Sequence, residues 1–257
     1  MTTEIAVWRG DGTQVLRIAR PEKKNALTGA MYRALSDAIE AGDADDAIAA
    51  HIITGSGGVF TAGNDIGDFL ATSKGTGDLG KDVLRFIRLL PVVKKPLIAA
   101  VDGNAIGIGT TMLFHCDLVY AAPDATFATP FLDLGLIPEA ASSLLMPQRM
   151  GYARAFAMLA LGDPLSADDA VAAGFVNAVV PAGDLESATL DAAKRLAKKP
   201  PEALALARRL MRGDPAEVLK RIDDEVAAFR ERLRSPEAVE AFTAFFEKRP
   251  PNFRKSV

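Results

Sequence analysis

A change of periodicity near residue 184 divides the chain. Before it, short apolar runs (AHIIT at 50–54, LIAAV at 97–101, LVYAA at 118–122, FVNAVV at 175–180) alternate with helical or glycine-rich segments, which is the pattern of an α/β core. After it, DLESATLDAAKRLAKK, PPEALALARRLMRG and DPAEVLKRIDDEVAAFRERLR carry apolar residues at helical spacing, so the last third is predicted to be helical. Ser235-Pro236 offers an N-cap and a first-turn proline for one more helix. At the other end, runs at Ile5 to Arg9 and Val15 to Ala19 flank Gly10-Asp11-Gly12 and read as a hairpin. Thr28 then stands ready to cap a helix with Met31, Leu35, Ala38 and Ile39 on one face. The expected organisation is a core over 1–183 and a helical region over 184–257.

Composition narrows the function. With 257 residues, 49% of them hydrophobic, the chain can bury a large core. Thirty basic against 33 acidic residues give a net charge of -3, which provides no global field for nucleic acid or an anionic membrane. One cysteine, Cys116, excludes an internal disulfide framework, and two histidines, His51 and His115, make no metal-ligand pattern. No metal and no separate cofactor is expected, and a reducing cytoplasm fits best. The start MTTEIAVWRG lacks the charge and apolar pattern of a secretion signal, and the longest apolar run, near Pro96 to Val101, is too short to span a membrane. SKGTGDLGK at 73–81 reads as a surface loop, with a lid as the alternative.

Two glycine loops share a design. FTAGND at 60–65 and DGNAIGIGTTMLF at 102–114 each follow a strand and lead into a helix. Glycine there permits close backbone approach, and the first amides of a helix are unpaired donors at its positive end, so the two together can hold an oxyanion. Taken singly, each also fits a plain turn. Neither GxGxxG nor GxxxxGK[ST] occurs, which disfavours dinucleotides and nucleoside triphosphates.

The stretch TPFLDLGLIPEAASS at 129–143 carries two ionisable groups, Asp133 and Glu139, among apolar and small residues. Asp133 reads as a turn cap or the partner of a nearby arginine or amide, with a catalytic base as the alternative. Glu139 reads either as an exposed glutamate opening a helix at Pro138 or as a half-buried base whose apolar surroundings raise its pKa.

The order of the pieces resembles the crotonase superfamily, also called the enoyl-CoA hydratase/isomerase family, over nearly the whole chain. The residues that carry the likeness are RPEKKNAL, GGVFTAGNDI, KKPLIAAVDGNAIGIGTTMLFHCDLVYAAPDATFATPFLDLGLIPEAASSLLMPQRMG, LSADDAVAAGFVNAVVP and FEKR. The resemblance implies an α/β spiral of β-β-α units with a C-terminal helical region that covers the site and joins subunits into trimers or hexamers. It also implies an acyl-CoA thioester whose carbonyl oxygen lies between the amides of Asn64 and Ile108, beside Gly63, Gly107 and Gly109. One such donor is worth roughly 3 kcal/mol in a transition state.

The chain departs from the hydratase pattern. At the two positions where the resembling hydratases carry glutamates it has Thr111 and Phe131. Glu139 matches instead the position used by peroxisomal-type Δ3,Δ2-enoyl-CoA isomerases, a branch that AGND and TPFLDLG also resemble. Moving a double bond from C3 to C2 takes a proton from one carbon and returns it to another, which one carboxylate can do. The resemblance further implies that Lys24, Lys248 and Arg249 approach the nucleotide end of coenzyme A, Lys248 across a subunit boundary. Ala62, Asp65 and Ile66 then line its path through their backbone.

Other readings are weaker. Ser142 and Ser143 lack a G-x-S-x-G context. Adjacent residues such as His115 and Cys116 point apart. Phe242, Phe245 and Phe246 are expected to be exposed and to mark an interface.

Overall fold

The computed structural model describes residues 4–65, 67 and 80–253. Ile66 and residues 73–79 of the glycine-rich loop lie outside them. Strands β1 (Ile5–Gly10) and β2 (Thr13–Ile18) form the expected hairpin, Gly10 opposite Thr13. Its two-residue turn places Asp11 and Gly12 at φ 51° and 74°, the left-handed geometry that keeps twisted strands paired. Helix α1 (Gly29–Asp43) starts where expected, with Thr28 Oγ1 accepting from the Met31 amide at 3.4 Å.

Strands β3 (Ala50–Thr54) and β4 (Leu97–Val101) extend the sheet in parallel, and helix α2 (Gly80–Leu89) precedes β4. From β4 onward the chain builds two sheets in turn. Strand β5 (Asn104–Ile106) leaves the first sheet, and a single helical turn, α3 (Ile108–Thr111), runs on as a 3-10 turn, Met112–His115. Strand β6 (Leu118–Ala121) returns to β4 and β7 (Thr126–Ala128) to β5. A 3-10 turn, Leu132–Leu134, leads to helices α4 (Ser142–Met150) and α5 (Tyr152–Phe156). Strand β8 (Leu165–Ser166), helix α6 (Ala167–Ala172) and strand β9 (Ala178–Val179) follow. The larger sheet has the order β1-β2-β3-β4-β6-β9 and the smaller β5-β7-β8. Two successive turns, β4-β5-α3 and β6-β7-α4, thus lay one strand in each sheet before a helix, which is the β-β-α spiral. The small sheet escaped the sequence pattern because strands of two or three residues are too short to show a period. The strand expected over 175–180 is only two residues long. Asn177 Oδ1 takes the Val119 amide at 2.7 Å, a bond that a longer strand would have made with its backbone.

The central strands are buried on both faces, which explains runs such as LIAAV that do not alternate. Leu16, Ile53, Ala99 and Val101 face the larger core with Met31, Tyr32 and Leu35 of α1. Their neighbours Val15, Ile52, Ile98 and Ala100 face Leu185, Ala192 and Ala193 of α7 (Leu185–Ala197). Helices α8 (Pro201–Arg212), α9 (Pro215–Leu233) and α10 (Pro236–Phe246) complete the chain, and Ser235 Oγ caps α10 by accepting from the Ala238 amide at 3.1 Å. Phe242 departs from expectation. It is fully buried in the core, and Phe245 and Phe246 are left exposed, because α10 turns its Ala238, Ala241 and Phe242 face inward. No helix among the described residues is long and apolar enough to cross a membrane.

Arg208 ties α8 to the sheet. It is 8% exposed. Its Nε donates to both oxygens of Asp117 at 2.9 Å and its Nη1 to the carbonyls of Val93 and Lys94. Asp117 Oδ2 also accepts from the Leu97 amide at the start of β4. Replacing Arg208 by methionine leaves the Asp117 charge and two carbonyls without this donor, and is expected to cost about 3–5 kcal/mol. Urea unfolding measures this, and a loss below about 1 kcal/mol would show that α8 is held chiefly by its apolar contacts.

Candidate active site

The two glycine loops meet. Thr61 and Asn104–Ile106 run side by side, Thr61 N donating to Asn104 O and Ile106 N to Thr61 O, both at 3.0 Å. Gly63 has φ 85°, and a methyl group there would lie 2.8 Å from the Ile106 carbonyl oxygen. At Gly109 it would lie 2.5 Å from Thr61 Cγ2. Only glycine permits this approach. It brings the Asn64 and Ile108 amides to one place. Ile108 is the first residue of α3, behind Gly107 at φ 58°, where no intrahelical acceptor exists. Among the described residues neither amide has an acceptor within the chain.

Both loops line one cavity of about 410 Å3. Its walls include Ala62, Gly63, Asn64, Gly107, Ile108 and Phe131, together with Asp133, Leu136 and, from the C-terminal elements, Ala241, Phe245 and Arg249. Eight of the candidate site residues named from the sequence, Ala62, Gly63, Asn64, Gly107, Ile108, Phe131, Asp133 and Arg249, are therefore gathered there. Gly109 sits behind the wall against Thr61, and Ile66 is outside the described residues. Asp65 is drawn away, its carboxylate 2.9 Å from Arg20 Nη1 and its amide donating to Leu27 O. The Arg20 guanidinium helps hold that carboxyl below its ordinary pKa against the opposing effect of burial. Lys24 is exposed, with its carbonyl bonded to the Ala62 amide. Lys248 is exposed and off this wall, and the neighbouring Arg249 is on it, paired with Glu240 and Glu247.

Glu139 is 6% exposed and off the cavity's walls, near enough to Thr111 of α3 and to Tyr32 of α1 to interact with both. The reading of it as an exposed helix opener does not hold, because α4 begins three residues later, at Ser142. Among the described residues its Oε1 has no hydrogen-bond partner, and the buried Thr111 hydroxyl at the end of α3 is the polar group that acts on this carboxyl. Burial, reinforced by the nearby Glu225 carboxylate, raises its pKa from 4.5 to about 8; the Thr111 hydroxyl opposes the shift. Tyr32 of α1 links this acid to the amides. Its buried hydroxyl donates to Asn64 Oδ1, and its pKa is pushed up by burial and by the Glu139 charge. Asp133 stands on the cavity wall, exposed, in the 3-10 turn Leu132–Leu134. The sequence marked Thr111 only as a missing glutamate and did not mark Tyr32 or Glu225 at all. A tyrosine on an apolar helix face and a glutamate in a charged helix carry no local signal.

The alternatives built on serine, histidine and cysteine do not assemble. Ser143 Oγ donates to Glu225, and His115 Nε2 faces the Ala140 carbonyl at 2.7 Å. Burial lowers the His115 pKa to about 4 and pushes the Cys116 thiol up to about 12, which leaves both neutral and the thiol unreactive.

Amide donors beside an acid buried at neutral pH suit the removal of a proton next to a carbonyl. A model of the family described as enoyl-CoA hydratase/isomerase matches residues 9–256. The chain belongs to that family. Enoyl-CoA delta isomerase 2 of Rattus norvegicus is 36% identical over 96% of the chain, which spans only 64% of the rat protein. The 1,2-epoxyphenylacetyl-CoA isomerase of Escherichia coli K12 is 34% identical over 94% of the chain and 95% of its own length. The crystal structure of an enoyl-CoA hydratase/isomerase from Pseudoalteromonas atlantica T6c superposes with a TM-score of 0.92 at 40% identity, covering 98% of this chain and all of that one. Proteins named as hydratases are also among the relatives. The fold is thus that of the crotonase superfamily.

Burial of Glu139 has a measurable consequence for stability. Its folded pKa of about 8 lies above the ordinary 4.5, so the native state binds this proton more tightly than the unfolded chain. The resulting stabilisation is complete below pH 4.5 and is lost as pH rises through 8. Glu139→Gln, which has no such proton, should therefore melt progressively higher relative to wild type as pH goes from 5 to 9 in scanning calorimetry. A difference in melting temperature that does not change with pH would contradict the burial of the ionised group.

Proposed function

We propose that the protein is an enoyl-CoA isomerase of the Δ3,Δ2 type, with Glu139 as the proton carrier and the Asn64 and Ile108 amides as the oxyanion hole. The observation that carries the reading is Glu139 itself, the glutamate of the 129–143 stretch, a buried carboxyl with one oxygen unpartnered among the described residues and a pKa raised to about 8. The hydratase positions hold Thr111 and Phe131, so a second acid to activate water is wanting there.

In this reading the thioester oxygen accepts from the two amides. Ionised Glu139 takes a proton from C2, and the electron pair moves into a dienolate whose oxygen carries the charge against the amides. The same carboxyl then returns the proton at C4, leaving the double bond between C2 and C3. Atoms balance and the acid is regenerated. Tyr32, bonded to Asn64 Oδ1, steadies the loop that presents one amide. Coenzyme A is part of the substrate, and Lys24 and Lys248 stand as contacts for its nucleotide end, Lys248 from a neighbouring copy. A trimeric or hexameric assembly fits the exposed Tyr152, Leu210, Met211 and Phe245.

Asp133 supports a second reading, since it stands on the cavity wall. There, other chemistry on the same thioester would use Asp133 as the acid or nucleophile. The two readings separate in one set of assays. Purified protein should convert a 3-enoyl-CoA to the 2-trans isomer and yield no 3-hydroxy product from crotonyl-CoA. Glu139→Gln should lower kcat roughly 10²–10⁴-fold while CoA-ester binding persists, and Asp133→Asn should stay near wild type. Unchanged turnover in Glu139→Gln with loss in Asp133→Asn would transfer the role to Asp133. For wild type, kcat/KM should rise with pH and level off above about 8, where Glu139 is ionised in the free protein.

A further inference from the structure

The turn that follows Glu139 is held in an unusual way. Ala140 and Ala141 both have left-handed backbone, φ 56° and 57°, a conformation that alanine adopts only under outside restraint. Both are fully buried. The restraint comes from a residue 84 positions later in the chain. Glu225, in the middle of α9 and 5% exposed, accepts from the Ala141 amide at 2.6 Å through Oε2. Its Oε1 accepts from the Ser143 amide at 3.1 Å and the Ser143 hydroxyl at 2.5 Å. On the other side of the turn, His115 Nε2 contacts the Ala140 carbonyl at 2.7 Å. A charge buried this deeply is costly, and three donors on one carboxylate describe a group kept for its geometry.

We propose that Glu225 is a positioning residue, its carboxylate clamping the Ala141 and Ser143 groups so that the left-handed turn holds the Glu139 side chain in its place beside Thr111. The proposal rests on the reading of Glu139 as the proton carrier, and it makes the C-terminal helix α9 part of the machinery that places the base. Glu225 also acts on Glu139 through space. The two buried carboxylates repel, which raises the Glu139 pKa. The other groups facing this pair are Arg221 of α9, bonded to Ser143 Oγ at 3.1 Å, the neutral His115, and Tyr32 of α1.

The test is Glu225→Gln, which keeps the shape and removes both the charge and one acceptor. With the 3-enoyl-CoA substrate, kcat should fall at least tenfold and KM change less than threefold, and the acidic limb of kcat/KM should move to lower pH, because the repulsion on Glu139 is gone. A glycine accepts the left-handed backbone without a clamp, so Ala141→Gly in the Glu225→Gln background should recover kcat several-fold. Circular dichroism and gel filtration establish folding. Should Glu225→Gln fail to fold, Ser143→Ala, which removes the hydroxyl from the clamp, should still lower kcat several-fold with KM held. Wild-type kcat and an unmoved limb in Glu225→Gln, or wild-type kcat in Ser143→Ala if only that variant folds, would overturn the proposal. Glu139→Gln would be inactive in those cases. Its full activity would instead overturn the reading on which the proposal rests.

Discussion

At Gly63 the backbone comes so near the Ile106 carbonyl that a single methyl group would have to displace it. Much of the site follows from that contact. Two loops carried by successive turns of the spiral are pressed together, and each has its amide left over: Asn64 because its parallel bridge to Leu27 is made by the flanking Gly63 carbonyl and Asp65 amide, Ile108 because it opens a helix of one turn. A donor pair made from backbone is rigid, since its orientation is fixed by the sheets on either side and not by a rotamer. The parallel bridge between Thr61 and Ala105 shows how directly the small sheet sets the spacing.

The acid side of the site depends on burial. Among the described residues Glu139 has no arginine or lysine partner of the kind that a buried carboxylate ordinarily acquires, and the charged group that acts on it is another acid, Glu225. Desolvation and repulsion act in the same direction and raise its pKa to about 8, a range that suits the proton carrier proposed above. The C-terminal helices contribute to this environment. α9 supplies Glu225, and α10 supplies cavity wall through Ala241 and Phe245. In this fold the last third of the chain therefore conditions the chemistry of a loop near its middle.

The readable part of this arrangement was local. The hairpin turn, the Thr28 and Ser235 caps and the helical last third all follow from residues a few positions apart, and the loops FTAGND and DGNAIGIGTTMLF announced their amides by glycine spacing. Glu139 stood out as an acid in an apolar stretch, although its neighbours alone left open whether it faced water. What settled its burial was α9 packing over the 139–143 turn, a contact across more than 80 residues. Tyr32, Glu225 and Arg208 were opaque for the same reason. Each sits in a segment whose local pattern is that of an ordinary amphipathic helix, and each acquires its role only from a partner far along the chain. Phe242 was misread because its helix shows aromatic residues on adjacent positions, and only packing decides which of them turns inward.

The geometry also explains why one family's framework can serve different reactions. The amide pair and the cavity are properties of the glycine loops and would polarise any thioester carbonyl placed between them. The outcome then depends on where acids stand around the α and γ carbons, and side chains at these positions change without disturbing the sheets. Here Thr111, on the same helical turn as the Ile108 amide, puts a neutral hydroxyl near the buried Glu139 carboxyl, and Phe131 fills a wall position with an apolar ring. A site so furnished keeps water without an activating base on that side. In the isomerase reading, such a site leaves the dienolate with Glu139 as its proton source, which favours returning the proton to carbon over adding water.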